Sequence, residues 1–167
     1  MSFKRLAIIA ASLLAAASSA QADDGTIFEG IADIPRISTT GPVDGCSTVT
    51  KGLINNGGFL LFTCEKLLPY HPISAHAASF ANYQSVLRQN GWTRKGGDKK
   101  NAKYVRTDST GCETQLEMTL WTDRSMNEFP ARPASDRNAH RQIVFKAKFF
   151  GVACDHYYPL AQAMASR

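Results

Sequence analysis

Seven cationic side chains crowd into one short stretch of the chain. Arg88, Arg94, Lys95, Lys99, Lys100, Lys103 and Arg106 fall within 19 residues, opposed only by Asp98. Trp92 and Tyr104 are interleaved with them. Cations at this density attract anionic partners such as lipid headgroups or an acidic protein surface. Aromatic rings among cations also suit single-stranded nucleic acid, but an exported chain rarely meets it. The plain alternative is a solvated hairpin tip, because charge runs usually mark a face in water. The expected ligand-binding set is Trp92, Arg94, Lys95, Lys99, Lys100, Lys103, Tyr104 and Arg106.

Other chemistry-bearing residues are scattered. The histidines are His71, His76, His140 and His156. His71 and His76 are five apart, not the i, i+4 spacing that puts two ligands on one helix face. Cys46, Cys64, Cys112 and Cys154 are separated by 18, 48 and 42 positions, whereas a four-cysteine zinc site uses close C-x-x-C pairs. No metal or cofactor is expected. Asp155-His156 would need a nucleophile to make a triad, and the chain has no Gly-x-Ser-x-Gly elbow. It also has no glycine loop of the phosphate-cradling type. Glu113 and Glu117 share one strand face about 13 Å apart, beyond the carboxylate separations that glycosidases use. The open face of the sheet is a further candidate, where Trp121, Val144 and Phe150 fall among Lys146 and Lys148.

The compartment narrows these readings. Lys4 and Arg5 precede an apolar run from Leu6 to Ala17, and Ala20-Gln21-Ala22 fits a cleavage site. Residues 1–22 therefore read as a secretory signal peptide. The apolar run of about 12 residues is too short for the roughly 20 of a membrane span. Without the two basic residues of that segment, 17 cations face 14 carboxylates, a balance of +3 rather than the +5 of the whole chain. Residues 23–167 fit one domain. Four cysteines in an exported chain read as two disulfides.

The elements follow from periodicity. Residues 23–45 read as an extended lead-in, docked through Ile31, Ile34 and Ile37, and residues 46–167 as a single α+β domain. Two readings fit Cys46–Cys64. One is a hairpin turning at Asn56-Gly57; the other is a short helix, Ser47 to Asn55, then the strand Phe59–Cys64. A two-residue turn would place Cys64 opposite Val49, about 10 Å of strand from Cys46, so a 46–64 bond favours the helix. Glu65 to Ile73 reads as a connector. Phe80, Tyr83 and Leu87 mark the buried face of a helix over 75–90, capped by Ser74 and stopped by Gly91.

Four strands should follow: Trp92–Lys95, Ala102–Thr107, Glu113–Trp121 and Gln142–Phe150. In the last two, apolar residues alternate with polar ones, as in an antiparallel sheet with one solvated face. The polar stretch from Asp123 to Arg141 connects them, and a short helix, Leu160–Ser166, ends the chain. Cys112 and Cys154 flank the last two strands, so the expected bridges are 46–64 and 112–154. Direct pairing of 112 with 154 would put the apolar faces of the two strands out of register. A bulge near Gly151, or a bridge just outside the ladder, removes the conflict.

The fold expected is α+β: a main helix on one face of an antiparallel meander, preceded by a short helix–strand unit. The function expected is an exported, non-enzymatic binding module of a bacterial-type cell envelope, periplasmic or secreted, which engages an anionic component or acidic protein. The alternative is a small exported hydrolase built on His156 or His140.

Overall fold

The computed structural model describes residues 25–51, 57–72, 74–121 and 141–166. The proposed signal peptide, His140 and most of the Asp123–Arg141 connector lie outside the described residues. Among the described residues, nine strands and two α-helices run in the order β1 (Thr26–Phe28), β2 (Ala32–Pro35), β3 (Thr40–Pro42), β4 (Thr48–Lys51), β5 (Gly58–Leu67), α1 (Ala75–Gln89), β6 (Thr93–Gly97), β7 (Asn101–Thr107), β8 (Glu113–Trp121), β9 (Gln142–Phe150) and α2 (Tyr158–Ala165). A 3-10 turn, Val152–Tyr157, joins β9 to α2.

The fold is α+β, with one antiparallel seven-stranded sheet in the order β3-β5-β9-β8-β7-β6 and β4 lying beside β3 on the flank of β5. β8 and β9 have the bounds that their alternation predicts. Their register sets Leu116 opposite Ala147 and Met118 opposite Phe145, so the apolar faces agree. Phe80, Tyr83 and Leu87 of α1 pack on that inner face. The Tyr83 and Phe145 rings meet edge-on at 5.1 Å.

Residues 25–45 do more than lie along the domain. β1 and β2 form a separate hairpin whose Ile27, Phe28, Ile31 and Ile34 enter the main core. Phe28 meets Phe145 edge-on at 6.4 Å. Threading the lead-in into the core this way removes apolar surface that a loose tail would leave in water.

The short helix expected over Ser47–Asn55 is not there: Thr48–Lys51 is β4, paired antiparallel with β5. The expected helix–strand unit is therefore a strand pair. The register sets Thr48 opposite Phe62 and Lys51 opposite Phe59. That shifts the pairing by three residues from a tight Asn56-Gly57 turn and brings Cys46 level with Cys64. The two cysteines are bonded, with Cα atoms 5.8 Å apart. The rest of the proposed helix, residues 52–55, lies outside the described residues, as does Asn56. β5 also runs to Leu67, into the expected connector.

Cys112 and Cys154 are bonded at a Cα separation of 4.8 Å. Glu113 pairs with Phe150, so Cys154 lies past the end of the ladder, in the 3-10 turn. A bridge outside the ladder is what the register conflict required. Ser74 precedes α1 without a side-chain cap bond, against expectation. Gly91 stops the helix at φ 79°, the left-handed geometry that favours glycine.

Gly58 is held more tightly. Its φ is 98°, and a Cβ there would collide with the Phe149 carbonyl oxygen across the β5–β9 ladder. Gly58→Ala is expected to cost about 2 kcal/mol from backbone strain and displacement of β9. A urea midpoint measured against wild type checks it; an unchanged midpoint would contradict this packing.

Candidate functional site

The β6–β7 hairpin carries the basic cluster, but strand geometry divides it. Successive side chains on a strand point to opposite faces. Arg94 is level with Tyr104, and Tyr104 is buried on the inner face with Leu116. The Arg94 guanidinium reaches its own turn, donating to the carbonyls of Gly96 and Gly97 at 3.4 Å each and of Asp98 at 3.5 Å. Asp98 accepts from the backbone N–H of Lys100 at 2.7 Å and of Asn101 at 2.9 Å. Those two bonds hold its carboxyl below the usual range. Lys99 and Lys100 stand exposed at this tip.

Trp92 and Arg106 go elsewhere. Trp92 is only 3% exposed, and the Arg106 guanidinium lies 5.9 Å from its ring centroid. Arg106 is level with Thr114, which is buried. Of the eight expected residues, three therefore turn to the inner side: Trp92, Tyr104 and Arg106. Three sit at the exposed tip: Arg94, bonded to its own turn, Lys99 and Lys100.

Lys95 and Lys103 complete a different group. They line a shallow depression of about 660 Å³ on the outer sheet face, together with Lys146 and Lys148 of β9 and Glu113 and Glu117 of β8. Glu117 sits directly between Lys103 and Lys146 across the three strands, and its Oε1 accepts from Asn101 Nδ2 at 2.9 Å. Among the described residues no carboxylate comes within ion-pair distance of any of these four lysines. Further along the same face, Val144 is buried in a second small core with Val43, Cys46 and Cys64, flanked by Phe62 and Trp121. The segment that precedes β4 thus covers part of the aromatic–lysine face considered from sequence.

The inner face holds a polar network that sequence reasoning missed. Arg36 Nε donates to both oxygens of Glu65, at 3.0 and 3.1 Å. The Glu65 side chain is 1% exposed, and burial pushes its carboxyl up to about 7 despite the guanidinium beside it. Thr40 also bonds Glu65 and shares a 2.7 Å hydrogen bond with the Tyr83 hydroxyl. Tyr83 in turn accepts from the Ile37 N–H at 3.4 Å, and burial raises its phenol. Thr39 and Ser79 hydroxyls meet at 2.7 Å. The network ties the segment between β2 and β3 to α1 and β5. One clue was legible: Phe59, Leu61, Thr63, Glu65 and Leu67 share a strand face, so Glu65 lies in an apolar row.

His76 and His156 lie on different elements, α1 and the 3-10 turn. His76 is buried and its Nε2–H donates to the Gln142 carbonyl at 3.2 Å; burial lowers its pKa. His156 is exposed on the 3-10 turn, its ring 3.9 Å from that of Tyr157. Asp155 accepts from the Gly58 N–H at 3.2 Å, which ties the turn to β5. Among the described residues no three His, Cys, Asp or Glu side chains group as a metal site. The sequence matches no protein-family model and no curated protein.

Proposed function

We propose that the chain is an exported, non-enzymatic binding module that engages an acidic protein or another anionic component of the cell envelope. The observation that carries this reading is the convergence of Lys95, Lys103, Lys146 and Lys148 around one open depression. Two disulfides support an oxidising compartment, where such bonds persist. No helix among the described residues is long and apolar enough to cross a membrane. Lys99 and Lys100 at the hairpin tip extend the positive field towards an approaching partner. The hydrolase alternative has less support, because Asp155 is bonded to Gly58 rather than orienting His156.

Exposed lysines act mainly through a screened field, so binding should weaken steeply with salt. Lys103→Glu/Lys146→Glu/Lys148→Glu is expected to abolish salt-sensitive retention on a polyglutamate matrix or on phosphatidylglycerol vesicles, with the thermal midpoint nearly unchanged. Lys99→Glu/Lys100→Glu should weaken it less. Equal retention of wild type and the triple variant would remove this face from the function.

A further inference from the structure

We infer a second, small site on the inner side of the sheet, which binds an oxyanion. It is a recess of about 80 Å³ where the turn between β1 and β2 meets the end of β7, the start of β8 and the 3-10 turn. Ala32, Trp92, Arg106, Asp108, Thr114 and Tyr157 are among the residues that line it. A water occupies roughly 30 Å³ of liquid volume, so the recess suits a group the size of acetate or inorganic phosphate.

The hydrogen-bond inventory sets the sign of the ligand. Asp108 is already occupied as an acceptor. Its Oδ1 takes the Thr110 N–H at 2.8 Å, the Thr110 hydroxyl at 2.6 Å and the Cys112 N–H at 3.1 Å. Its Oδ2 takes the Tyr157 hydroxyl at 2.8 Å. Four donors offset that carboxylate's charge, and the hydrogen bonds hold its pKa below the usual value against the cost of burial. The unmet demand is for an acceptor: Trp92 is buried and its Nε1–H has no partner. A buried donor without a partner is costly. Arg106, beside the same ring, supplies the positive charge that favours an anionic oxygen over water. Arg106 and Trp92 thus belong to a site separate from the lysine face, with a ligand of different size.

The indole N–H resonance of Trp92 reads this site directly. The protein has two tryptophans, so Trp121→Phe assigns the signal. Sodium acetate and sodium phosphate are titrated in separate arms, with sodium chloride at matched ionic strength as the reference. The expected result is a saturable shift of the Trp92 signal in one arm; which arm saturates tells carboxylate from phosphate. Arg106→Met should weaken that binding by about tenfold or more, as the loss of a charge-assisted bond implies. Ala32→Leu, which adds bulk to the lining and removes neither donor, should abolish it. If Arg106→Met unfolds, the Ala32→Leu arm still decides. A shift that chloride reproduces, no saturation in either arm, or unchanged binding in Ala32→Leu would overturn the site.

Discussion

Arg36→Met is expected to destabilise the fold by about 3 kcal/mol at pH 8, and by clearly less at pH 5. Removing one partner of a buried ion pair costs about 3–5 kcal/mol when the other charge stays behind. Here the charge that stays is Glu65, 1% exposed. With the guanidinium present its carboxyl already titrates at about 7 rather than 4.5. Without it the pKa rises further, and protonation then relieves the penalty as pH falls. Glu65→Gln added to Arg36→Met should recover much of the loss, because a neutral amide needs no counter-charge. Urea denaturation at the two pH values checks this. A deficit equal at pH 5 and pH 8 would show that Arg36 acts through packing alone.

The wild type carries the same signature. A carboxyl whose folded pKa is raised binds its proton more tightly in the native state. It therefore stabilises below about pH 4.5, and that contribution is lost as pH rises through about 7. This is the reverse of the usual carboxylate. His76 works against it: burial lowers its folded pKa from 6.5, so its contribution is present above pH 6.5 and lost on acidification. In Glu65→Gln the carboxyl dependence is lost while that of His76 remains, so the difference from wild type should grow as pH falls.

Glu65 also marks the limit of what the sequence reveals. The strands Glu113–Trp121 and Gln142–Phe150 were legible because one solvated face forces strict alternation along them. The helix expected over 75–90, observed as Ala75–Gln89, was legible from Phe80, Tyr83 and Leu87 and from the glycine after it. The pairing of Glu65 with Arg36 spans 29 positions and leaves no local trace. β4 shows a different failure. Its β-branched residues favour a strand, but Asn56-Gly57 is a strong signal for a two-residue turn. That fixed the register three residues off and made the Cys46–Cys64 bond look incompatible with a hairpin. The basic cluster misleads for a third reason. Closeness along a strand puts neighbours on opposite faces, so Tyr104 and Arg106 part from Lys103. The partners of Lys103 on the outer face come instead from β9, more than 40 positions away.

Cys112→Ser/Cys154→Ser should lose about 4 kcal/mol, and Cys46→Ser/Cys64→Ser about 3 kcal/mol, from the loop-closure entropy restored to the unfolded chain. The longer loop, 42 positions against 18, gives the larger loss, which lowers Tm by roughly 10–15 °C. The two losses should also differ in kind. Cys46 and Cys64 belong to the small core on the outer face, remote in function from the recess around Trp92. Cys112 follows Asp108, which accepts its N–H, and Cys154 anchors the turn that carries Tyr157. Without that bridge, Gly58–Asp155 and Tyr157–Asp108 hydrogen bonds still hold the turn. Each, made to a carboxylate, is worth about 1.5–3 kcal/mol, less than the covalent bridge that joins the turn to the start of β8. The 112–154 variant, still folded at low temperature, should therefore lose the saturable shift of the Trp92 indole signal. The 46–64 variant should keep it. If both variants bind the oxyanion equally well, the bridge stabilises the fold without shaping the recess.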